Sequence, residues 1–410
     1  MTNVVWANAP HPQQSTEAAD YTIGQTGQGF TARNKNGSSF TDSDAATVIQ
    51  AAISALGTSG GKVHIKAGIY PLHSTIRLPE NTSQEKAFII EGDGSNTYLK
   101  PDHNHTNIVF YLGDGTNETI FNYQFLNLMI RCDPLSDRVA YSDCFYAAGG
   151  VARSLWWKVE IAGTADAAID AGVIIQCDIR QCIFGAAGRQ VTGELSYSWI
   201  DDCYFDGGGL WQIDSTKYGY GPTWITNNIL VHSPRQAMRL GGYGWVVMGN
   251  TIDDASWGNG GTYPAITLAA VNYATIAHNR IADLQGAGAT ALYGIQETGS
   301  CSYNTIADNQ IANLQGAPAI VYTSTTDLIH DNIGYNPLAK SAVALPGTGV
   351  AFPLLPYNAV YVVTTTTGLT GLTLDGTAVS YAAGIPIYVS ANKALIPTYS
   401  GSPVFELIPI

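Results

Sequence analysis

Charged residues are scarce in this sequence, and basic residues are the scarcer sign. They make up 12% of the 410 residues, with 19 Lys and Arg against 32 Asp and Glu, for a net charge of −13. A nucleic-acid-binding protein needs a basic surface for the phosphates, so no nucleic-acid partner is expected. The same excess argues weakly against anionic lipids and glycans, unless a cation or a local basic cluster intervenes.

Long apolar runs are lacking as well. No stretch of about 18 apolar residues occurs, which predicts no membrane insertion. The start, MTNVVWANAPHPQQST, has no basic segment followed by an apolar one. No signal peptide is therefore visible in this chain. A phage-type structural protein would lack such a leader too, because it leaves the cell by lysis.

Paired cysteines and common short catalytic motifs are missing too. None of the six cysteines forms a CxxC motif, and there is no phosphate-cradling glycine loop, G-x-S-x-G or H-E-x-x-H. Most cysteines are expected to be small buried hydrophobes. The alternative is one disulfide, for which Cys132 and Cys144, in the loop-like stretch RCDPLSDRVAYSDC, are the best pair.

One amphipathic helix is predicted near the N-terminus. In SDAATVIQAAISALG, Ser43 or Asp44 can cap the helix, and Gly57 can end it. Apolar residues recur with helical spacing on one face, at Val48, Ile49, Ala52, Ile53 and Leu56. This is the one substantial helix that the sequence predicts.

The central part of the chain repeats a short pattern about every 20–30 residues. TIAHNRIADLQGAGA starts at Thr275, and TIADNQIANLQGAPA starts at Thr305. The shared template is apolar-x-x-Asn-x-apolar, and its fourth position holds Cys182, Cys203, Asn228, Asn250, Asn279, Asn309 and Asn332. Such a period, with β-branched residues and variable loops, predicts a solenoid of short parallel strands.

The recurring asparagine has a structural explanation. A sharp bend between two strands favours a residue that tolerates left-handed backbone geometry, and stacked amides can hydrogen-bond from rung to rung. Cys182 and Cys203 would fill the same position without the ladder bond.

A second strand follows each bend, after the longest loops of the repeat. These strands are LWQID, AMRLG, AITLA, LYGIQ and AIVYT. With Ile213 and Leu240 pointing inward, alternation predicts the outward residues to be Gln212, Asp214, Arg239 and Gly241.

The repeat stops after Pro337, where short alternating strands and glycine turns begin. The predicted organisation is an N-terminal arm and capping helix (1–60), a β-helix (61–336) and a small β-rich C-terminal unit (337–410). The last unit would cap the open end of the helix or form trimers.

The sequence resembles the pectate-lyase superfamily, within the branch of polysaccharide-degrading enzymes and virus tailspikes. The resemblance is carried by DAATVIQAAISAL, GGKVHIKAGIYPL, FLNLMI and the asparagine positions, over most of residues 40–336. It implies an all-β fold, a single-stranded right-handed parallel β-helix with a short N-terminal capping helix and a small C-terminal β unit. It also implies a homotrimer and an extracellular or virion-associated location.

The catalytic motifs of that superfamily are not matched. The polygalacturonase-like set Asn-Thr-Asp, Gly-His-Gly and Arg-Ile-Lys is not found, and the calcium and arginine motifs of pectate lyases have no residue-by-residue match. The superfamily includes lyases, hydrolases, epimerases and inert binders, so the resemblance transfers no catalytic residue.

Outward carboxylates on neighbouring rungs are the first candidates for chemistry. In the superfamily, glycans usually lie along the face of the second strand and its loops. Asp214 and Glu194 are the preferred catalytic pair, with Asp170 as substitute, because rungs about 4.8 Å apart place such carboxylates about 5–10 Å apart. One carboxyl would protonate the leaving oxygen, and the other would attack or activate water. Solvated carboxylates without a role are the alternative.

Other side chains near the same rungs are candidates for binding. Arg239 would act as a lyase base or clamp a substrate carboxylate, with a structural ion pair as the alternative. Asp253 and Asp254 could bind calcium with Asp214, or only cap their loop. Aromatic rings expected to stack on sugars are Trp211, Tyr218, Tyr220, Tyr243 and Trp257. Lateral packing or a subunit interface is the alternative for these rings.

Hydrolysis of an extracellular polysaccharide is the favoured function. The acidic protein suits a neutral glycan, and carboxylates outnumber candidate bases. One alternative is calcium-assisted β-elimination. Another, of a different class, is a tailspike-like or adhesin-like protein that binds a glycan without cleaving it. No cofactor is required, and calcium is an option.

Overall fold

The computed structural model describes most of the chain. The described residues are 18–27, 29–81, 86–101, 107–113, 119–131, 141–164, 166–185, 188–219, 221–282, 291–316, 318–335, 341–355 and 358–409.

The described part begins with three antiparallel strands, β1 (Tyr21–Thr26), β2 (Gly29–Asn34) and β3 (Ser39–Asp42). Helix α1 follows at Ala45–Leu56. The Asp44 carboxylate accepts the N–H groups of the first turn, and Gly57 ends the helix at φ 59°. The apolar helix face joins the core of the first solenoid strands. The predicted helix is confirmed, and Asp44 rather than Ser43 is its cap.

The solenoid strands follow in chain order. They are β4 (Gly61–Ile65), β5 (Gly68–Leu72), β6 (Ile76–Leu78), β7 (Phe88–Gly92), β8 (Thr97–Pro101), β9 (Asn107–Leu112), β10 (Thr119–Phe121), β11 (Tyr123–Arg131), β12 (Tyr141–Ala152), β13 (Leu155–Ala162), β14 (Ala167–Ile175), β15 (Asp178–Arg180), β16 (Ile183–Gly185), β17 (Arg189–Ser196), β18 (Trp199–Asp201), β19 (Tyr204–Asp206), β20 (Trp211–Gly219), β21 (Thr223–Thr226), β22 (Ile229–Val231), β23 (Met238–Tyr243), β24 (Trp245–Met248), β25 (Thr251–Asp253), β26 (Ile266–Asn272), β27 (Thr275–Ala277), β28 (Arg280–Ala282), β29 (Ile295–Thr298), β30 (Thr305–Ala307), β31 (Gln310–Ala312), β32 (Ile320–Val321) and β33 (Leu328–His330).

Each turn of the solenoid presents three faces, and each strand pairs in parallel with its equivalent on the next rung. Face A holds β4, β7, β15, β18, β21, β24, β27, β30 and β33. Face B holds β5, β8, β16, β19, β22, β25, β28 and β31, and β11 and β13 run through both faces. Face C holds β6, β9, β12, β14, β17, β20, β23, β26, β29 and β32, with β10 paired to β12. This is the right-handed parallel β-helix that the sequence predicted.

The recurring asparagines form a buried ladder at the corner between faces A and B. Each side-chain amide donates to the side-chain oxygen of the next rung at 2.8–3.0 Å, through Asn228, Asn250, Asn279, Asn309 and Asn332. The backbone N–H of each also bonds the next amide oxygen. The predicted ladder is therefore present, and it satisfies backbone groups that have no water to bond.

The left-handed backbone geometry lies one residue before the ladder, not at the asparagine as expected. Residues with φ of 53–56° at this corner include Gln181, Asp202, Asn227, His278, Asp308 and Asp331. The kink turns the next side chain inward, which is why the asparagine is buried. At Cys203 the ladder continues weakly, because its sulfur accepts the N–H of Cys182 at 3.5 Å.

Inward residues of face C build the central core. Ile213 and Leu240 are fully buried, as alternation predicted. The outward assignment of Gln212 is wrong, because its side chain is 0% exposed. Its amide donates to the carbonyl oxygens of Phe205, Gly207 and Val231, so it satisfies the loop that enters face C.

The C-terminal part is antiparallel. Its strands are β34 (Ser341–Val343), β35 (Ala359–Thr365), β36 (Leu369–Leu374), β37 (Thr377–Ala378), β38 (Pro386–Val389), β39 (Leu395–Tyr399) and β40 (Val404–Pro409), in sheets of four and three strands. Phe352, Tyr361 and Phe405 lie in a core separate from that of the β-helix. Asn392 donates to the Asp327 carbonyl oxygen on the last rung at 3.1 Å.

The disulfide alternative is wrong. Cys144 is a free, fully buried thiol within β12. Its suggested partner Cys132 lies outside the described residues. Within the described chain, no helix has the length and apolar character to cross a membrane.

Candidate functional site

Face C carries one continuous outward column, called here the polar column. Strand register aligns its members rung by rung as Tyr111, Tyr146, Asp170, Thr192, Asp214, Arg239, Thr267 and Gln296. Rungs are about 4.8 Å apart, so the column offers one polar or aromatic group at each step. Two of the four proposed catalytic residues, Asp214 and Arg239, are adjacent in it.

Asp214 and Arg239 form a bidentate ion pair. Arg239 Nε lies 2.8 Å from Asp214 Oδ1, and Nη2 lies 2.8 Å from Oδ2. The Asp214 side chain is 8% exposed and that of Arg239 is 32% exposed. Both carboxylate oxygens are therefore occupied by the guanidinium fork, the strongest geometry for such a pair.

Trp211 lies beside this pair. The Arg239 guanidinium carbon is 4.1 Å from the ring centroid of Trp211, and that of Arg235 is 5.1 Å away. The indole Nε1 donates to Gln236 Oε1 at 2.9 Å. Cation–π contacts and this hydrogen bond fix the ring in one orientation. Arg235 also lies over Tyr263, 5.5 Å from its centroid.

Asp170 lies in the polar column two rungs from Asp214, with Thr192 between them. Arg189 Nη2 is 3.6 Å from Asp170 and 2.8 Å from Asp166. Burial lowers the pKa of Arg189, but Asp166 and then Asp170 raise it overall. Burial, together with Tyr111 and Asp170, raises the pKa of the Tyr146 hydroxyl, which therefore stays a hydrogen-bond donor.

Glu194 lies in a different column. It aligns with Val173 because a register shift separates Asp170 from Val173 along β14. Gly193 lies at this irregularity with φ 147°, where a β-carbon would collide with the Ala171 carbonyl oxygen. The structure thus places Asp170, and not Glu194, in line with Asp214.

A second cluster lies at the corner between faces B and C. His232 Nδ1 is 3.0 Å from Asp206 Oδ1, and Nε2 is 3.7 Å from Asp254 Oδ2. Asp254 is only 2% exposed, so the imidazole faces a buried carboxylate on that side. Trp257 packs 5.5 Å from the His232 ring and is 53% exposed. The cluster therefore fixes the loop that presents Trp257.

The proposed calcium ligands are arranged differently from each other. Asp253 ends β25, whereas Asp254 turns inward toward His232. In the described parts of the chain, no group of three or more acidic, His or Cys side chains is arranged to hold a metal ion. Calcium binding by Asp253 and Asp254 stays a prediction.

Tyr243 is a further aromatic candidate that the structure describes. Tyr243 ends β23 in register with Asn272 and is 46% exposed. The side chain of Tyr218 and the whole of Tyr220 lie outside what the structure describes. Among the proposed aromatic residues whose side chains the structure describes, Trp211 is the one that contacts the Asp214–Arg239 pair, through Arg239.

Sequence reasoning missed several side chains of this region. Gln236 and Arg235 contact Trp211. Arg189 pairs with both Asp166 and Asp170, and His232 links Asp206 to Asp254. Each belongs to the loop or strand start just before a predicted outward residue. Aligning the repeats on the second strand, instead of on the asparagine, would have placed Arg189, Trp211 and Gln236 on successive rungs.

Several solved structures share this fold. An alginate lyase from Paenibacillus sp. str. FPU-7 is similar with a TM-score of 0.53 and 14% identity, over 68% of this chain and 98% of that chain. The A-module of mannuronan C-5 epimerase AlgE4 from Azotobacter vinelandii has a TM-score of 0.48 and 16% identity, over 71% and 91%. The Dettilon tailspike protein has a TM-score of 0.43 and 13% identity, over 89% and 90%.

No protein-family model and no curated protein matches the chain. At identities this low, structural likeness shows the fold and not an activity. What the comparisons establish is the architecture that the sequence resemblance implied: the chain is a right-handed parallel β-helix.

Proposed function

We propose that the protein binds an extended saccharide chain along face C. The observation that carries this proposal is the polar column, where Trp211 lies beside the outward ion pair of Asp214 and Arg239. A polysaccharide presents hydroxyl groups and apolar ring faces at regular intervals. A column with a new polar or aromatic group about every 4.8 Å is complementary to such a ligand.

The finer proposal is that the bound chain is cleaved by hydrolysis. Asp170 and Asp214 lie two rungs apart, so their backbones are about 10 Å apart, near the upper end of the spacing in inverting glycosidases. One carboxyl would protonate the leaving oxygen, and the other would activate water. Because Arg239 occupies both oxygens of Asp214, this role requires the guanidinium to release one of them. Glu194 stays an alternative partner.

A second candidate is a glycan-binding protein without catalysis. The bidentate Asp214–Arg239 pair favours this second candidate. A carboxylate that binds Arg239 through both oxygens can hold the guanidinium against Trp211, but it is poorly placed to donate a proton. β-Elimination has less support, since Arg239 as base would have to lose a proton while paired to a carboxylate. An extracellular or virion-associated location and a homotrimer belong to either proposal.

The test is product release from a panel of neutral and acidic polysaccharides, with and without calcium. Reducing ends would be measured together with the ultraviolet absorbance of unsaturated sugars. Hydrolysis predicts reducing ends without the absorbance, lost in Asp214→Asn and in Asp170→Asn but kept in Asp375→Asn. Asp375 is a matched control, because it also pairs with a cation, Lys393, at 2.8 Å in the C-terminal unit.

Three other results would contradict hydrolysis at this site. Turnover that survives both substitutions would show that Asp170 and Asp214 are not the catalytic carboxyl groups. Reducing ends with the absorbance would identify a lyase. Binding without any product would identify the non-catalytic protein.

A further inference from the structure

Two exposed tyrosines stack on each other at the corner between faces C and A. The rings of Tyr273 and Tyr303 lie 5.2 Å apart with an interplanar angle of 7°. Tyr273 is 62% exposed and Tyr303 is 56% exposed, so neither ring is part of the core. They occupy the same position on successive rungs, just after β26 and one rung later.

The backbone at these positions gives no reason for tyrosine. Tyr273 and Tyr303 have φ of 59° and 57°, a left-handed geometry that favours Gly, Asn or Asp and is costly for bulky residues. Exposed rings gain little burial to offset that cost. Aromatic side chains kept at strained, exposed positions indicate a role other than folding.

The corner that carries the two rings is rigid. The residue after each tyrosine is buried, and the N–H of Ala274 donates to Asn304 Oδ1 at 2.9 Å. The N–H of Asn304 donates in turn to Asp327 Oδ1 at 2.8 Å. A ligand that binds the rings would therefore not have to order the backbone beneath them, which lowers the cost of binding.

The position equivalent to Tyr273 on the side away from Tyr303 carries no side chain. The equivalent residue one rung earlier is Gly244, whose N–H bonds the Asn272 carbonyl oxygen just as Tyr273 N–H bonds that of Ser302. Glycine has no side chain to cover the Tyr273 ring. The exposed Tyr243 precedes Gly244 and is in register with Asn272.

We propose that Tyr273 and Tyr303 form an accessory site on which a neutral sugar residue stacks. The side chains next to the rings, Asn272, Ser302 and Thr326, are uncharged hydrogen-bonding groups, which suit hydroxyls rather than a carboxylate. The site borders the end of face C strands, outside the polar column. Its ligand class rests on the proposed glycan binding, whereas its position and residues do not.

The test is affinity electrophoresis of the whole protein in native gels that contain one polysaccharide each. The neutral probes are galactomannan, xyloglucan and dextran, and the anionic probes are alginate and polygalacturonate. The key variant is Tyr273→Asn with Tyr303→Asn, because asparagine tolerates the left-handed backbone and keeps the fold intact. Tyr388→Asn is the control, since Tyr388 is a 68% exposed tyrosine in the C-terminal unit. Thermal unfolding would verify that the variants are folded.

The expected result is retardation of the native protein by a neutral probe, with apparent affinity about tenfold weaker in the double variant and unchanged in the control. Tyr273→Phe with Tyr303→Phe should bind nearly as well as the native protein, because the ring faces make the contact. Loss of binding in this phenylalanine variant would overturn stacking. If the double asparagine variant lost binding only to the anionic probes, the proposal of a neutral ligand would be overturned.

Trp211→Ala separates this inference from the proposed function. Binding lost in Trp211→Ala but native in the double tyrosine variant would overturn the accessory site and leave face C supported. Binding lost only in the double tyrosine variant would overturn binding along face C and leave the accessory site supported. Absence of retardation by every probe would overturn both.

Discussion

Two stacked columns run along this β-helix, and they differ in whether their residues repeat. In the asparagine ladder between faces A and B, the same buried amide recurs on five successive rungs, from Asn228 to Asn332. In the polar column of face C, neighbouring rungs carry different outward residues at every step but the first, from Tyr111 to Tyr146. The asparagine repeats because it hydrogen-bonds backbone groups that are the same on each rung. Where the backbone needs nothing from the side chain, residues are free to differ, and there a ligand can be recognised.

The largest effect is expected from breaking the ladder. In Asn250→Ala, the N–H and amide of Asn228 lose their acceptor, and the carbonyl of Ile225 loses its donor. Buried unsatisfied groups cost about 1–3 kcal/mol each, so a loss of about 3 kcal/mol in the free energy of unfolding is expected. Urea unfolding would measure it. The exposed neighbour Asn227→Ala should cost about 1 kcal/mol or less; equal costs would show that the ladder contributes no special stability.

The corner between faces C and A should give a pH effect, because its last rung carries a buried carboxyl group, Asp327. Burial and the nearby Glu297 raise the pKa of Asp327 to about 7, although the Asn304 N–H lowers it. The folded state thus keeps a proton that the unfolded chain releases near its ordinary value of 3.8. Because the folded state binds more protons between these values, stability contributed by this group falls as pH rises from about 4 to about 7 and is level above that.

Asp327→Asn should remove this fall. Asparagine can still accept the Asn304 N–H through Oδ1, which limits other damage. Thermal midpoints of the native and variant proteins would be compared across the range, so that the other carboxylates cancel. A difference between the two midpoints that does not change with pH would contradict the assignment.

A smaller effect is expected from splitting the ion pair of the polar column. Arg239→Gln leaves the nearly buried Asp214 without its cation, and partial exposure of Arg239 limits the cost to about 1–2 kcal/mol. Adding Asp214→Asn should restore most of that stability, because no buried charge is then left unpaired. Saccharide binding should stay weak in both variants, since Trp211 loses the nearer of its two cation–π partners, Arg239, and keeps only Arg235. Additive costs in the double variant would show that the pair is not coupled.

The same comparison explains which features the sequence could predict. The asparagine period predicts the β-helix because the ladder requires the same chemistry on each rung. The expected position of the left-handed backbone was wrong by one residue, since a one-dimensional pattern does not show which of two adjacent residues bends the chain. Gln212 was misplaced because simple alternation fails at a strand entry where loop carbonyls need a donor.

The site was harder to predict because it depends on register across rungs. Glu194 was paired with Asp214 on spacing alone, but the irregularity at Gly193 moves it into another column. Alternation along each strand correctly predicted that Asp214 and Arg239 point outward. Their bidentate contact could not be predicted in this way, because it depends on the register between the two strands. Long-range partners such as Asp166 and Arg189 leave no local pattern in the chain.

Saccharide recognition along face C is tested most directly by comparing two tryptophans on different faces. Trp211 lies on face C beside Arg239, whereas Trp224 stacks on Trp199 on face A, with centroids 4.4 Å apart. Affinity of Trp211→Ala and Trp224→Ala for a polysaccharide that retards the native protein would be measured in the same gels. We predict that Trp211→Ala loses at least about tenfold in affinity while Trp224→Ala binds as the native protein does. Native binding by Trp211→Ala, or an equal loss in both variants, would contradict recognition along face C.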